Sequence, residues 1–357
     1  MFLLILTFAL AFMISLYGVP VARRAALKYG MVDVPDGRLK HQRDPVPYLG
    51  GLAIYIAFLV SLAFTFDFRQ DVLGIVLAGT LMVMLGLIDD FGVLSVGTKL
   101  IGQLLAIFVL IKSGIRIQIA AFPDWLDIAL TVIWMLGLTN AFNLLDIMDG
   151  LAAGVGLVAT SFLLVVSLLN DNTTIAFMVT ALAGSLLGFL RYNFYPARIY
   201  MGDCGALFIG MMVGALSMIG QYGGRHQVAL LTPLFILGVP IFDTLFVMYV
   251  RASRRLPVLR GSPDHLVLRL KRWGMAVPVV VVAMYLASMA MGLIGLVIMS
   301  VSETLAFISV GAAAVSLLTA FMILKRLDGV EPLTSAAEPA ATSARPMVRR
   351  MRRVPQV

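Results

Sequence analysis

Five aspartates, Asp89, Asp90, Asp146, Asp149 and Asp203, stand at the ends of apolar runs in three separate stretches of the sequence. Acids at membrane depth are expensive and default to a functional role. Any one of them could cap a helix, but capping does not explain five at one face. Carboxylates gathered together repel one another unless a cation neutralises them. Short Asp side chains and Asn carbonyls, with no Cys/His set, suit a hard cation such as Mg²⁺ or Mn²⁺ and disfavour zinc. A metal site of that kind facing the cytoplasm serves a phosphate-bearing substrate.

Three neighbouring stretches extend this reading. In the segment 140–150, Asn140, Asn143, Asp146 and Asp149 recur every three positions and run into Gly150. On a helix, such a spacing places neighbours on adjacent turns. A ligand-facing ladder and a polar helix–helix seam both fit it. Met201-Gly202-Asp203-Cys204-Gly205 leads into an apolar run, so its glycines let a phosphate approach a helix N-terminus. The loop 35–51 carries Arg38, Lys40, His41 and Arg43 among prolines and glycines. Its cations suit a lipid phosphate, or serve topology alone.

The elements that must position these residues follow from composition. Of 357 residues, 61% are hydrophobic and 13% charged, with one cysteine. A soluble domain is about 45–50% apolar and about 25% charged. The chain is therefore expected to be an all-α polytopic membrane protein with no disulfide framework. Nucleic acid is not an expected partner despite the net charge of +8. Eleven apolar windows are predicted to span: 1–21, 48–66, 72–88, 98–112, 127–142, 151–169, 174–190, 205–221, 228–250, 276–298 and 303–324. With eleven spans, all but Arg69, Lys112, Arg116 and Arg225 of the 27 Lys+Arg fall on one side. That asymmetry predicts an outside N-terminus and a cytoplasmic C-terminus. The first run has no basic segment before it, so it reads as an N-out anchor and not a cleaved signal. Residues 1–325 form the expected membrane domain. The stretch 326–357 shifts to Ala, Pro, Ser and Arg and reads as a disordered basic cytoplasmic tail.

Taken together, Asp89-Asp90, the Asn-x-x-Asn-x-x-Asp-x-x-Asp-Gly ladder and Met-Gly-Asp-x-Gly resemble the polyprenyl-phosphate N-acetylhexosamine-1-phosphate transferases, over about residues 1–325. The resemblance implies a bacterial inner-membrane enzyme with its site facing the cytoplasm. Such an enzyme moves N-acetylhexosamine-1-phosphate, GlcNAc-1-phosphate first, from a UDP-amino sugar to undecaprenyl phosphate. UMP leaves, and synthesis of a cell-surface polysaccharide begins. Carried over by motif, the catalytic residues are Asp89, Asp90 and Asp203, with Asp89 on the lipid phosphate as base or orienter. Asp203 and Asp149 would hold Mg²⁺, with Mn²⁺ as a substitute. Asn140, Asn143, Asp146 and Asp149, with Lys40, His41, His265 and Arg269, would bind substrate. Direct attack needs fewer assumptions than a covalent aspartyl route, and both stay open, as does a homodimer.

The departures bear on specificity. Where this family commonly carries a His-rich motif, the segment 260–273 holds His265 alone, and Arg269 is a candidate to replace lost charge. The missing triplet disfavours the alternative, a phospho-N-acetylmuramoyl-pentapeptide transferase. An interfacial segment is the other reading of this stretch. Cys204 stands where serines are common and reads as a packing residue; Asp243 either lines the cavity or forms a buried pair with an arginine such as Arg251. A secondary transporter is the rival of a different class, but its acids would lie near the midplane at broken helices.

Overall fold

The computed structural model describes residues 1–33, 45–66, 70–92, 94–224, 226–256, 262 and 264–326. Lys40, His41, Arg69, Arg225 and the tail beyond 326 lie outside the described residues. The elements run α1 (Phe2–Lys28), β1 (Val32–Asp33), β2 (Val46–Pro47), α2 (Gly50–Thr65), α3 (Gln70–Asp90), α4 (Val96–Lys112) and α5 (Asp124–Leu145). They continue with α6 (Leu151–Leu169), α7 (Thr173–Asn193), α8 (Gly202–Met218), α9 (Thr232–Ile236), α10 (Gly238–Ser253), α11 (Leu266–Arg272), α12 (Val277–Ser300) and α13 (Glu303–Arg326). In a bilayer every backbone group must be satisfied within its own segment, which is why the apolar runs are helices. The protein is an all-α polytopic membrane protein. Among the described residues, seven helices are long and apolar enough to cross a membrane, or eight if the bent pair at α9–α10 counts as one span. The helices α2 and α8 are apolar but shorter.

The ninth predicted span, 228–250, is not one helix. Its two pieces meet at a bend of 76°. Pro240 has no N–H to give the carbonyl of Ile236, and its ring clashes there, so α9 stops at that residue.

The core is built around α8. Every residue from Cys204 to Ser217 is buried, which explains a run that is apolar all round. It packs against α3, α5 and α2, while α7 packs against α1, α6 and α2. Phe208 meets Tyr55 and Phe58 edge-on, with ring centroids 5.4 and 5.5 Å away. The outer helices α1 and α13 bury few of their apolar side chains, as a lipid-facing surface would.

A small antiparallel hairpin ties the start of the chain to the entrance of α8. Val32 pairs with Pro47 and Asp33 with Val46. Tyr200 N–H donates to the Pro47 carbonyl (2.8 Å), and the N–H groups of Gly50 and Gly51 donate to the carbonyls of Tyr200 and Met201 (3.0 and 2.9 Å). These bonds fix the backbone just ahead of Asp203.

Candidate active site

The ends of α3, α4, α5 and α8 bring the predicted acids and amides together. Lys99, in the first turns of α4, holds the group. Its Nζ lies 2.7 Å from Asp89 Oδ2, 2.6 Å from Asp203 Oδ2 and 3.2 Å from Asn143 Oδ1. Asn143 Nδ2 in turn donates to Asp203 Oδ1 at 2.6 Å. One turn deeper, Asn140 and Gln103 exchange amide hydrogen bonds of 3.0 and 3.3 Å. Lys99 and Gln103 are four residues apart on α4, so they face the pair Asn143 and Asn140 on α5.

Asp90 has a different task from Asp89. Its carboxylate accepts the backbone N–H of Asp203 (2.7 Å) and of Cys204 (3.3 Å). It therefore caps the N-terminus of α8 from a neighbouring helix, satisfying donors that the helix itself leaves open. Gly202 makes room for this contact. Its φ is +70°, and a Cβ there would lie 2.6 Å from Asp90 Oδ2. Cys204 is buried against the same turn.

The ladder 140–150 is not one helical face. α5 ends at Leu145, Asp146 is its C-cap, and Asp149 and Gly150 lie in the turn before α6. Only Asn140 and Asn143 remain on the helix. The turn is braced against the loop 194–201. Asp149 Oδ2 accepts the Ala197 N–H at 2.8 Å, and Asn193 bridges the Gly150 N–H and the Ile199 carbonyl, each at 3.0 Å. Tyr285 of α12 donates to the Gly150 carbonyl at 2.6 Å.

Charge in this turn is poorly compensated. Burial pushes the Asp146 carboxyl well above the usual carboxylate range, and the facing acids Asp203, Asp90 and Asp149 push it further. No described residue hydrogen-bonds its side chain. Burial also raises Asp149, opposed by the Ala197 N–H and the positive charge of Lys271 on α11. Among the described residues, no three His, Cys, Asp or Glu side chains converge closely enough to hold a metal ion. The donors are nevertheless all oxygen, and the unpartnered Asp146 facing three other acids is the setting a hard cation fits.

His265 and Arg269, at the start and in the middle of the helix that carries Lys271, form a buried network. His265 Nδ1 is 2.7 Å from Asp243 Oδ2, and the Leu266 N–H donates to Asp243 Oδ1 at 2.8 Å. Arg269 donates to the Asp264 carbonyl (3.0 Å), Asp264 Oδ1 (3.3 Å) and the Leu324 carbonyl (3.2 Å), and its guanidinium lies over the Phe246 ring. With Arg269 only 3% exposed, its charge is used inside the protein. The substrate-binding role expected for Arg269 would have to be met from within this network. Asp243, left open between a cavity and an arginine pair, receives the histidine.

Three contributors, Lys99, Gln103 and Lys271, are absent from the sequence reading as site residues. Lys99 counts there only as a topological charge. A lysine in the first turns of a helix opposes the helix dipole, and that misfit is a signal of acids nearby. Lys271 carries no comparable mark, because its loop is basic throughout.

The fold is thus a polytopic membrane bundle that carries an acid–lysine–amide cluster at its helix ends. The family model for glycosyl transferase family 4 matches residues 72–221, from α3 to just past α8. Those bounds hold the whole cluster and leave out His265 and Arg269. The chain is 33% identical over 303 residues (81% of this chain, 84% of the relative) to the probable undecaprenyl-phosphate N-acetylglucosaminyl 1-phosphate transferase of Bacillus subtilis (strain 168). It is 35% identical over 296 residues (72% of each) to the decaprenyl-phosphate N-acetylglucosaminephosphotransferase of Mycolicibacterium smegmatis. A phospho-N-acetylmuramoyl-pentapeptide-transferase of Halalkalibacterium halodurans is 32% identical over 299 residues (76% of this chain, 89% of the relative). The chain belongs to glycosyl transferase family 4, among the polyprenyl-phosphate N-acetylhexosamine-1-phosphate transferases.

Proposed function

We propose that this protein transfers N-acetylhexosamine-1-phosphate, with GlcNAc-1-phosphate as first choice, from a UDP-sugar to undecaprenyl phosphate, releasing UMP. The observation that carries this reading is the Lys99-bridged pair Asp89 and Asp203, set at the ends of apolar helices where a lipid phosphate can reach it. The printed names of the two N-acetylglucosamine relatives support the same donor and acceptor classes. The product would start a cell-surface polysaccharide.

The reaction joins two anions. An oxygen of the lipid phosphate attacks the β-phosphorus of the UDP-sugar, and the bond from that phosphorus to the bridging oxygen breaks as UMP leaves. The nucleophile is already ionised, so the work is positioning and charge neutralisation. Asp89 orients the lipid phosphate or accepts its remaining proton, Lys99 sets the Asp89 and Asp203 carboxylates, and Asn143 fixes the second oxygen of Asp203. Asp90 is a positioning residue that acts through the first turn of α8. Asp203 and Asp149, together with Asp146, would hold Mg²⁺, and Mn²⁺ could replace it. When bound, that cation supplies Lewis-acid neutralisation of the pyrophosphate. Gln103 and Asn140 close the polar floor of the site.

Eleven spans with the N-terminus outside place the ends of α3, α5 and α7 and the start of α8 on the cytoplasmic side of the inner membrane, where UDP-sugars are. Lys40 and His41 would add charge for the lipid phosphate from the first cytoplasmic loop. The test is purified protein given Mg²⁺, undecaprenyl phosphate and a panel of UDP-sugars. A lipid-linked pyrophosphoryl N-acetylhexosamine is the expected product. Turnover confined to the UDP-muramoyl-pentapeptide donor would instead assign the peptidoglycan reaction.

A further inference from the structure

We propose that the groove between the C-terminal turns of α1 and the end of α7 binds the headgroup of an anionic phospholipid. The groove has a volume of about 490 Å³ and is lined by Val19, Pro20, Arg23, Arg24, Tyr192 and Arg198. Three arginines thus share the lining with apolar side chains. Guanidinium is the planar, permanently charged donor that matches phosphate oxygens in pairs.

Arg24 and Arg198 are free to take a ligand, and Arg23 keeps its terminal nitrogens for one. Arg23 Nε donates to the Arg198 carbonyl at 3.0 Å, which ties α1 to the loop after α7. No carboxylate among the described residues pairs with any of the three, and the side chains of Arg24 and Arg198 make no hydrogen bond there. Such unspent positive charge, flanked by exposed surface, calls for an anion from outside the fold.

The level of the groove selects the class of anion. Arg23 and Arg24 follow directly on the apolar run of α1, while Val19 and Pro20 belong to that run. Tyr192, apolar in body and polar at its tip, suits the same interface. A ligand matching both parts has its phosphate at the surface and its chains in the bilayer. Nor is this the reacting centre, since the groove shares no residue with the cluster of Asp89, Lys99, Asn143 and Asp203. The occupant is a bound phosphodiester lipid that is not turned over. Arg198 directly follows Ala197, whose N–H holds Asp149, so a headgroup here would brace the loop behind the site.

Native mass spectrometry of the full-length detergent-purified protein, offered phosphatidylglycerol and phosphatidylcholine, tests the proposal. The wild type should retain phosphatidylglycerol in preference to phosphatidylcholine. The double variant Arg24→Gln/Arg198→Gln should lose on the order of ten-fold or more of that retention, since a basic residue near a membrane surface contributes on the order of five-fold. Arg23 stays in place to keep its tie to the Arg198 carbonyl. Arg326→Gln, at the exposed end of α13, should leave retention unchanged. Should the double variant not fold, each single variant must still show a partial loss. Equal retention of the two lipids by the wild type, or of phosphatidylglycerol by wild type and variants, overturns the site. Displacement by millimolar inorganic phosphate would make it a site for soluble anions. Loss confined to polyprenyl phosphate would make it a loading site for substrate, and either result also overturns the proposal.

Discussion

Lys99 keeps two carboxylates, Asp89 and Asp203, within 2.7 Å of one charge, and all three side chains are at most one-third exposed. Removing the ammonium would leave the acids facing each other with no cation of the protein's own. Lys99→Met should therefore lower turnover on the order of 100-fold, as loss of a preorganised charge in an active site does. UMP release under saturating donor is the measurement, and a rate within a few-fold of wild type would count against the cluster. Asp90 predicts another pattern. Asp90→Asn keeps one acceptor for the first turn of α8 and should retain partial activity, whereas Asp90→Ala removes the cap. That loss costs about 1 kcal/mol of stability and also lets Asp203 drift. Its effect should fall on kcat with KM nearly unchanged, because the side chain already serves two backbone amides. Cation binding can be read without turnover. At a hundred-fold excess over Kd, Mg²⁺ should stabilise the protein by about 2.7 kcal/mol, seen as a rise in Tm. The rise should vanish in Asp203→Asn.

At the scale of elements, the close approach of α3 to α8 sets the distance between Asp89, Asp90 and Asp203. Gly86 lies on that contact. A Cβ there would come 2.5 Å from the backbone of Asp203, which cannot move as a flexible side chain does. Gly86→Ala should thus reduce activity while the protein still inserts, and overpacking of this kind costs about 1–3 kcal/mol. Gly51→Ala, at the α2–α8 contact, would serve as a comparison of packing without direct contact to the acids. Much of this arrangement is legible in the sequence, because a bilayer forces apolar runs to be helices and makes acids at their ends conspicuous. The ladder 140–150 is less legible. Its three-residue spacing fits a helix throughout, yet the chain leaves the helix at Asp146 and turns through the positive φ of Gly150. The break in the ninth window escapes an average over apolar residues, although Pro240 marks it in hindsight. Lys99 is hidden for another reason: a basic residue at a span's edge already satisfies the topology rule. Asp264, five residues before Arg269, is within reach of a local reading, but Asp243 is brought to His265 by tertiary packing that no local pattern specifies.

For the whole molecule, the orientation proposed here makes distinct predictions for the two ends of α13. In a background with Cys204 replaced by alanine, a cysteine at Ser302 should react with an impermeant maleimide in intact cells. One at Arg326 should react only after permeabilisation. The reverse result would move the site to the wrong side of the membrane for a nucleotide-sugar donor. The central claim, transfer of a sugar together with its phosphate, has a more direct test. Donor UDP-GlcNAc labelled at the β-phosphorus is given to purified protein with Mg²⁺ and undecaprenyl phosphate, and the label is followed between the lipid and aqueous phases. The account predicts that the label moves into the lipid as UMP appears in water. Label remaining in water as UDP, with unlabelled phosphate in the glycosylated lipid, would mean ordinary glycosyl transfer and contradict it.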